Sequence, residues 1–189
     1  EFYPGESDDG IKFEARLHVM QNYGKAVIEI LENFFLVVDE KSRVIEEVIQ
    51  NVSSLLATSE ELEKQLAHAL CEREEKGGTL ITGHGFVLLH CRTDAVKKMY
   101  FGVVQIKNSI YGVSGKSEAE EIKLGIVMIA PENNREDAME TISYLSKMLI
   151  EKPDFIEILQ DGTPEKAKEE VSHILEEFYR FKNKEMMGE

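Results

Sequence analysis

The chain has 189 residues, 42% hydrophobic and 31% charged, enough for one well-cored domain and too few for two of ordinary size. Its 22 basic and 36 acidic residues leave a formal charge of −14, which argues against direct nucleic-acid contact by this piece, since such contact depends on neutralising phosphates. Cys71 and Cys91 stand in no ligand-like spacing, which argues against a zinc site or a disulfide scaffold, and no apolar run approaches the roughly 20 residues of a bilayer crossing. No membrane insertion and a cytoplasmic location are therefore expected.

Residues 1–10, EFYPGESDDG, lack an initiator Met and the basic-then-apolar pattern of a signal peptide, and read as a linker in an excised piece of a longer protein. From Ile11 the apolar residues Phe13, Leu17, Met20, Val27, Ile28, Leu31 and Phe35 recur at helical spacings, predicting a helix over 11–35. A second helix is expected over 40–56, with Val44, Ile45, Val48, Ile49 and Val52 on one side. Thr58 with Glu61 three residues on forms a capping-box signature for a third, whose buried face holds Leu62, Leu66, Ala69 and Leu70. Gly77-Gly78 should stop that helix soon after Arg73.

The pattern then changes to short runs rich in branched and aromatic residues: TLIT, FVLLHC, MYFGVVQI and IKLGIVMIA. The last, Ile122 to Ala130, is apolar almost throughout and reads as a strand covered on both faces; residues 109–121 before it read as a loop. Helices return after Pro131. One places Met139, Ile142, Leu145 and Leu149 on a stripe, a short one ends at Gly162, and one starts with Thr163 as N-cap and Pro164 in its first turn. Residues 183–189 read as a flexible tail. The expectation is an α/β (α+β) domain over 11–182, with a small mixed sheet flanked by helices and residues 11–35 as an N-terminal helical extension.

Within this frame the stretch GHGFVLLHCRT, residues 83–93, holds the chemistry. A histidine that accepts a phosphoryl group needs one neutral, accessible ring nitrogen and a hydrogen bond that fixes the tautomer through the other. The incoming oxygens need N–H donors or cations, because phosphoryl transfer is mostly positioning and charge stabilisation. His90 ends an apolar strand at the rim of a sheet, and Arg92 and His84 are close in sequence. Gly83 and Gly85 permit close backbone approach, and Arg73 offers a planar two-donor fork. On pattern alone a structural or surface role for His84 or His90 is the commoner one, and the pattern gives only a candidate nucleophile. His18, His68 and His173 fall within amphipathic helices and read as surface or boundary residues; Cys91 reads as a buried strand residue, and the acidic runs as solvated faces. No metal or hydrolase constellation is present, and no cofactor is expected.

The segment CEREEKGGTLITGHGFVLLHCRT resembles the active-site segment of the mannitol/fructose-type enzyme IIA domains of the bacterial phosphotransferase system. That segment carries an Arg-Glu pair at a helix end, a threonine, a G-x-G, three apolar residues, a proline and the phosphorylated histidine. Arg73-Glu74, Thr79, Gly83, Gly85 and His90 occupy the matching positions, and a looser resemblance runs from about residue 26 to 181. It implies a phosphohistidine at His90 with Arg73 beside the phosphoryl group.

The departures matter as well. Leu89 stands where the family has Pro, Cys91 where Gly is usual, and the Thr79–Gly83 spacing is one residue longer. The transport enzymes carry a second active-site histidine at the start of the helix after the long buried strand. Here that place falls near Asp137-Ala138, with no imidazole, and His84 is the candidate to stand in for it. In these respects the chain is more similar to the IIA-like modules that close multidomain regulators of mannitol and related sugar operons. The resemblance implies a regulatory domain phosphorylated on His90, controlling a transcription activator. Its partners would be the histidine carrier protein, IIA and IIB components, and the other domains of the parent regulator. The alternative is a true phosphocarrier that passes phosphate from the histidine carrier protein to a IIB cysteine, and a third reading is an interaction module that is never phosphorylated.

Overall fold

The computed structural model describes residues 8–112 and 119–188. Five strands form one mixed sheet in the order β1-β4-β5-β3-β2: β1 (Phe34–Glu40), β2 (Leu80–Ile81), β3 (Phe86–Arg92), β4 (Tyr100–Gly112) and β5 (Glu120–Ala130). β1 runs parallel to β4 and β3 parallel to β5, while β4–β5 and β2–β3 are antiparallel. Six helices flank it: α1 (Asp8–Glu32), α2 (Ile45–Leu56), α3 (Glu60–Glu75), α4 (Glu136–Glu151), α5 (Pro153–Asp161) and α6 (Pro164–Met187). The expected small mixed sheet flanked by helices is the fold observed.

The alternation of side chains along each strand splits the core into two layers. Val87, Leu89, Val104, Val127 and Ile129 face α2 and α3. Phe86, Phe101, Val103, Leu124 and Ile126 face the layer built by α1, α4, α5 and α6. Central β5 is therefore apolar on both sides, with Ile126, Val127 and Ile129 fully buried. Among the described residues, no helix is long and apolar enough to cross a membrane.

Several boundaries differ from those the sequence predicts. α1 begins at Asp8, so residues 8–10 of the expected linker are helical, while 1–7 lie outside the described residues. It stops at Glu32 because Asn33 turns both its backbone N–H and its side-chain Nδ2 onto the Glu29 carbonyl, at 3.1 and 2.9 Å. Phe34 to Glu40, expected as the end of one helix and the start of the next, becomes β1 instead. The Phe35 ring lies flat over Gly102 of β4, where a Cβ would sit 2.0 Å from the ring. The β1–β4 register slips between Val37 and Glu40, and Asp39 there takes φ 53°, a left-handed conformation that Asp tolerates.

α3 is capped by Ser59 rather than Thr58. Ser59 carries the extended backbone a cap requires, and its hydroxyl accepts from the Leu62 N–H at 3.2 Å. Thr163 caps α6 as expected, accepting from the Lys166 N–H at 3.3 Å. The loop expected over 109–121 is shorter, since β4 runs on to Gly112 and pairs it with Glu120; residues 113–118 lie outside the described residues. α6 continues to Met187, so most of the expected tail is helix. A third apolar cluster, Met20, Tyr23 and Phe178 with Tyr144 against it, joins α1, α4 and α6. Tyr23 donates to Glu140 at 2.5 Å, and Lys182 pairs with the same carboxylate.

Candidate functional site

β3 carries a cluster of polar groups at each end. At its C-terminal end stands His90, half-buried. Its Nδ1 is 3.0 Å from the Leu88 carbonyl and its Nε2 is 3.2 Å from Arg73 Nε. A carbonyl only accepts and a guanidinium only donates, so Nδ1 carries the hydrogen and Nε2 presents its lone pair. That is the neutral, oriented imidazole a nucleophile requires.

Arg73 belongs to the opposite layer from the cleft wall, yet it reaches His90 because the sheet edge is open there. β2 pairs only with Phe86 and Val87, and the last rung is the Leu88 N–H donating to the Thr79 carbonyl at 2.8 Å. Beyond that rung, among the described residues, the outer edge of β3 has no neighbouring strand, so a side chain from the end of α3 passes around it. Arg73 is held from behind, its Nη1 donating to the Gly77 carbonyl at 2.7 Å. Gly77 and Gly78, with φ 77° and 76°, form the turn that presents this carbonyl. A short hydrogen bond from the Thr79 hydroxyl to Glu74 ties the helix end to the strand that follows.

Around His90 opens a cleft of about 360 Å³, walled by Arg73, Arg92, Met139, Ile142 and Ser146 among others. Arg92, exposed and two residues beyond His90, shares its side of the strand. Cys91 also lines the cleft; burial pushes its thiol up to about 12, so it is neutral and unreactive beside the imidazole. Leu89, at the position of the resembling family's proline, is buried in the α2/α3 layer. Asp137, in the first turn of α4, has its Oδ2 buried without a hydrogen bond among the described residues and 3.5 Å from Arg135.

The N-terminal end of β3 is different. Gly83 and Gly85, at φ 82° and 69°, turn their N–H groups onto the Glu120 carboxylate. Gly83 donates to both of its oxygens, at 2.9 and 3.1 Å, and Gly85 to one at 3.1 Å. This is an anion-binding nest of backbone amides, already filled by the protein's own carboxylate. His84 sits in that turn, exposed, with its ring edge-on to Phe86 at 6.2 Å. Four residue steps along the strand, about 13 Å of chain, separate Phe86 from His90. The structure thus brings His90, Arg73 and Arg92 together and leaves His84 at the far end of the strand.

Sequence reasoning missed Ser143 and Ser146 in the cleft and Glu120 at the far end of β3. Ser146 joins the cleft from α4, three and four positions along from Ser143 and Ile142, so a helical stripe was its only signal. Glu120 fell within the expected loop, 37 residues from Gly83, and nothing local pointed to it. Among the described residues, no three His, Cys, Asp or Glu side chains converge as a metal-binding set.

The family described as "Phosphoenolpyruvate-dependent sugar phosphotransferase system, EIIA 2" matches residues 29–178. No curated protein sequence matches significantly. Among solved structures, the nitrogen regulatory protein IIA-Ntr from Neisseria meningitidis is similar, with a TM-score of 0.54 and 22% identity, over 77% of this chain and 94% of that one. IIA mannitol from Escherichia coli is similar with a TM-score of 0.51 and 19% identity, over 72% and 94%. A complex of Escherichia coli enzyme IIA mannitol with phosphorylated enzyme IIB mannitol gives a TM-score of 0.50 and 17% identity, over 73% and 94%. At these identities the likeness is one of fold.

Proposed function

The chain belongs to the phosphotransferase-system EIIA 2 family, and on that premise we propose that it is a regulatory IIA domain phosphorylated on His90, acting within a sugar-operon (mannitol-type) transcription activator. The observation that carries the phosphoacceptor assignment is the pair of contacts on the ring: Nδ1 bonded to the Leu88 carbonyl and Nε2 facing Arg73 in an open cleft. The lone pair of Nε2 attacks phosphorus of a phosphohistidine donor. The P–Nε2 bond forms as the donor's N–P bond breaks, and that electron pair returns to the donor's ring nitrogen. No proton need move in the step, since Nδ1 keeps its hydrogen against the Leu88 carbonyl. Arg73 swings from the lone pair to the arriving oxygens, and Arg92 adds a second positive charge at the rim.

The regulatory assignment rests on the other wall. Of the chain's five histidines only His90 lines this cleft, and α4 contributes Met139, Ile142, Ser143 and Ser146 to it. A phosphoryl group received there has no second imidazole to help it onward. Phosphorylation adds about −1.5 to −2 charge beside Arg73 and Arg92, and that change in surface field is what a neighbouring domain or a IIB component would read. The carrier reading draws on the openness of the same cleft, which leaves the phosphoryl group accessible to an acceptor cysteine.

Intact mass after incubation with phosphoenolpyruvate, enzyme I and the histidine carrier protein tests the assignment. One acid-labile phosphoryl group is expected on this chain and none on His90→Ala; phosphate retained by the variant would overturn it. A chase with a IIB protein then separates the roles, with slow or absent onward transfer expected for a regulatory domain and rapid discharge for a carrier.

A further inference from the structure

Three helical hydroxyls of this chain, two of them buried, are spent within their own helix. Ser53, Thr141 and Ser143 each turn their hydroxyl back onto the carbonyl four residues earlier, at 2.8, 2.7 and 2.7 Å. That is the usual resting place of a helical hydroxyl with nothing else to bond. Ser146 departs from it. Its hydroxyl makes no hydrogen bond among the described residues, and the residue is half-buried and lines the cleft that holds His90 and Arg73. Its neighbours on the same wall, Met139 and Ile142, offer no hydrogen, and the hydroxyl hydrogen of Ser143 is committed to Met139. Ser146 therefore supplies the one uncommitted donor that α4 turns toward the cleft.

We infer that Ser146 is a phosphoryl-binding residue: its hydroxyl donates to an oxygen of the group carried by His90, facing the Arg73 guanidinium across the cleft. The inference rests on the phosphoacceptor reading of His90 and adds to it the wall from which the group is held. A phosphoryl dianion presents three strong acceptor oxygens, and Arg73, already bonded through Nη1 to Gly77, has only part of its fork to offer. A hydroxyl on the second wall completes the cradle without supplying a nucleophile or a leaving-group acid. It favours retention of the group over its departure, which is the behaviour of a domain that reports its state.

The test is the position of the phosphoryl equilibrium between this chain and the phosphorylated histidine carrier protein, measured for wild type, Ser146→Ala, Ser146→Thr and Ser143→Ala, with the ³¹P resonance of each phosphorylated form. Ser146→Ala should still accept phosphate, but with the equilibrium shifted about tenfold toward the carrier, the loss of one hydrogen bond to a charged group. Its phosphorus resonance should move as well. Ser146→Thr should restore both, and Ser143→Ala should stay within about twofold of wild type, since its hydroxyl is already spent. Alanine is a better helix former than serine, so folding is not at risk, and the thermal midpoint confirms it. An equilibrium and a resonance unchanged in Ser146→Ala would overturn the inference while leaving His90 as acceptor; a larger effect from Ser143→Ala would overturn it too. A wild-type chain that takes no phosphate would remove the reading of His90, and this inference with it.

Discussion

At the start of β3 the amides of Gly83 and Gly85 converge on the Glu120 carboxylate; at its end Arg73 and Arg92 flank His90, and neither forms an ion pair among the described residues. Both ends attract negative charge. At the first, three hydrogen bonds from the backbone have already been answered from within the chain, so the turn is a structural clamp between the β2–β3 connection and the start of β5. At the second, the guanidinium rests on an imidazole lone pair, the very atom a phosphoryl group would take. The comparison shows that donors count toward a site only when they are unspent. A glycine-rich turn beside a histidine is not enough, because its amides can be satisfied by a residue far away in the sequence.

Changes at the two ends should have opposite signatures. The largest is expected from Arg73→Ala, which removes the charge that meets the developing phosphoryl oxygens and should slow phosphorylation by roughly 10²- to 10³-fold with the fold intact, measured by timed intact mass. Arg73→Lys should recover only part of that, since an ammonium cannot bond to Gly77 and to an incoming oxygen through one planar fork. Glu120→Ala should do the reverse. Leaving the amides of Gly83 and Gly85 to water costs about 1–2 kcal/mol of stability, read from urea unfolding, with the phosphorylation rate per folded molecule unchanged. A loss of phosphorylation in that variant at full stability would break the distinction between the ends. Arg92→Ala, exposed at the rim, should slow phosphorylation about threefold, and less in high salt. His84→Ala should leave the rate within about twofold of wild type; a loss as large as that of Arg73→Ala would place His84 back in the site.

The same contrast explains what the sequence made legible. His90 stood out because an apolar run of β type ended in it, and Arg73 because two glycines marked the end of its helix. His84 looked equally close, but six residues that include a strand are a long distance, whereas six residues of a turn are a short one. The β1 strand was hidden for a different reason. Phe35 lies four residues beyond Leu31 and so continued the helical stripe, and the stop signal was the single Asn33, whose amide folds back onto Glu29. Glu120 was illegible in principle, and Ser146 showed only as one position on a helical stripe. Their roles depend on which strand pairs with which and which helix covers the rim, and neither is a property of the local sequence.

β1 is an outer strand of the sheet, and its sequence, Phe-Phe-Leu-Val-Val, is of the kind that recruits further strands when its free edge is straight. Here the edge is interrupted. The bulge between Val37 and Glu40, with Asp39 in a left-handed conformation, twists the strand just where Val38 lies half-exposed, and places two carboxylates in the run. On the opposite side β2 is only two residues long, and the edge of β3 beyond it is crossed by the Arg73 side chain. A straight, regular β1 would bury one more apolar side chain and make the molecule a template for its own aggregation. The irregularity works against edge-to-edge addition of a further copy at this strand.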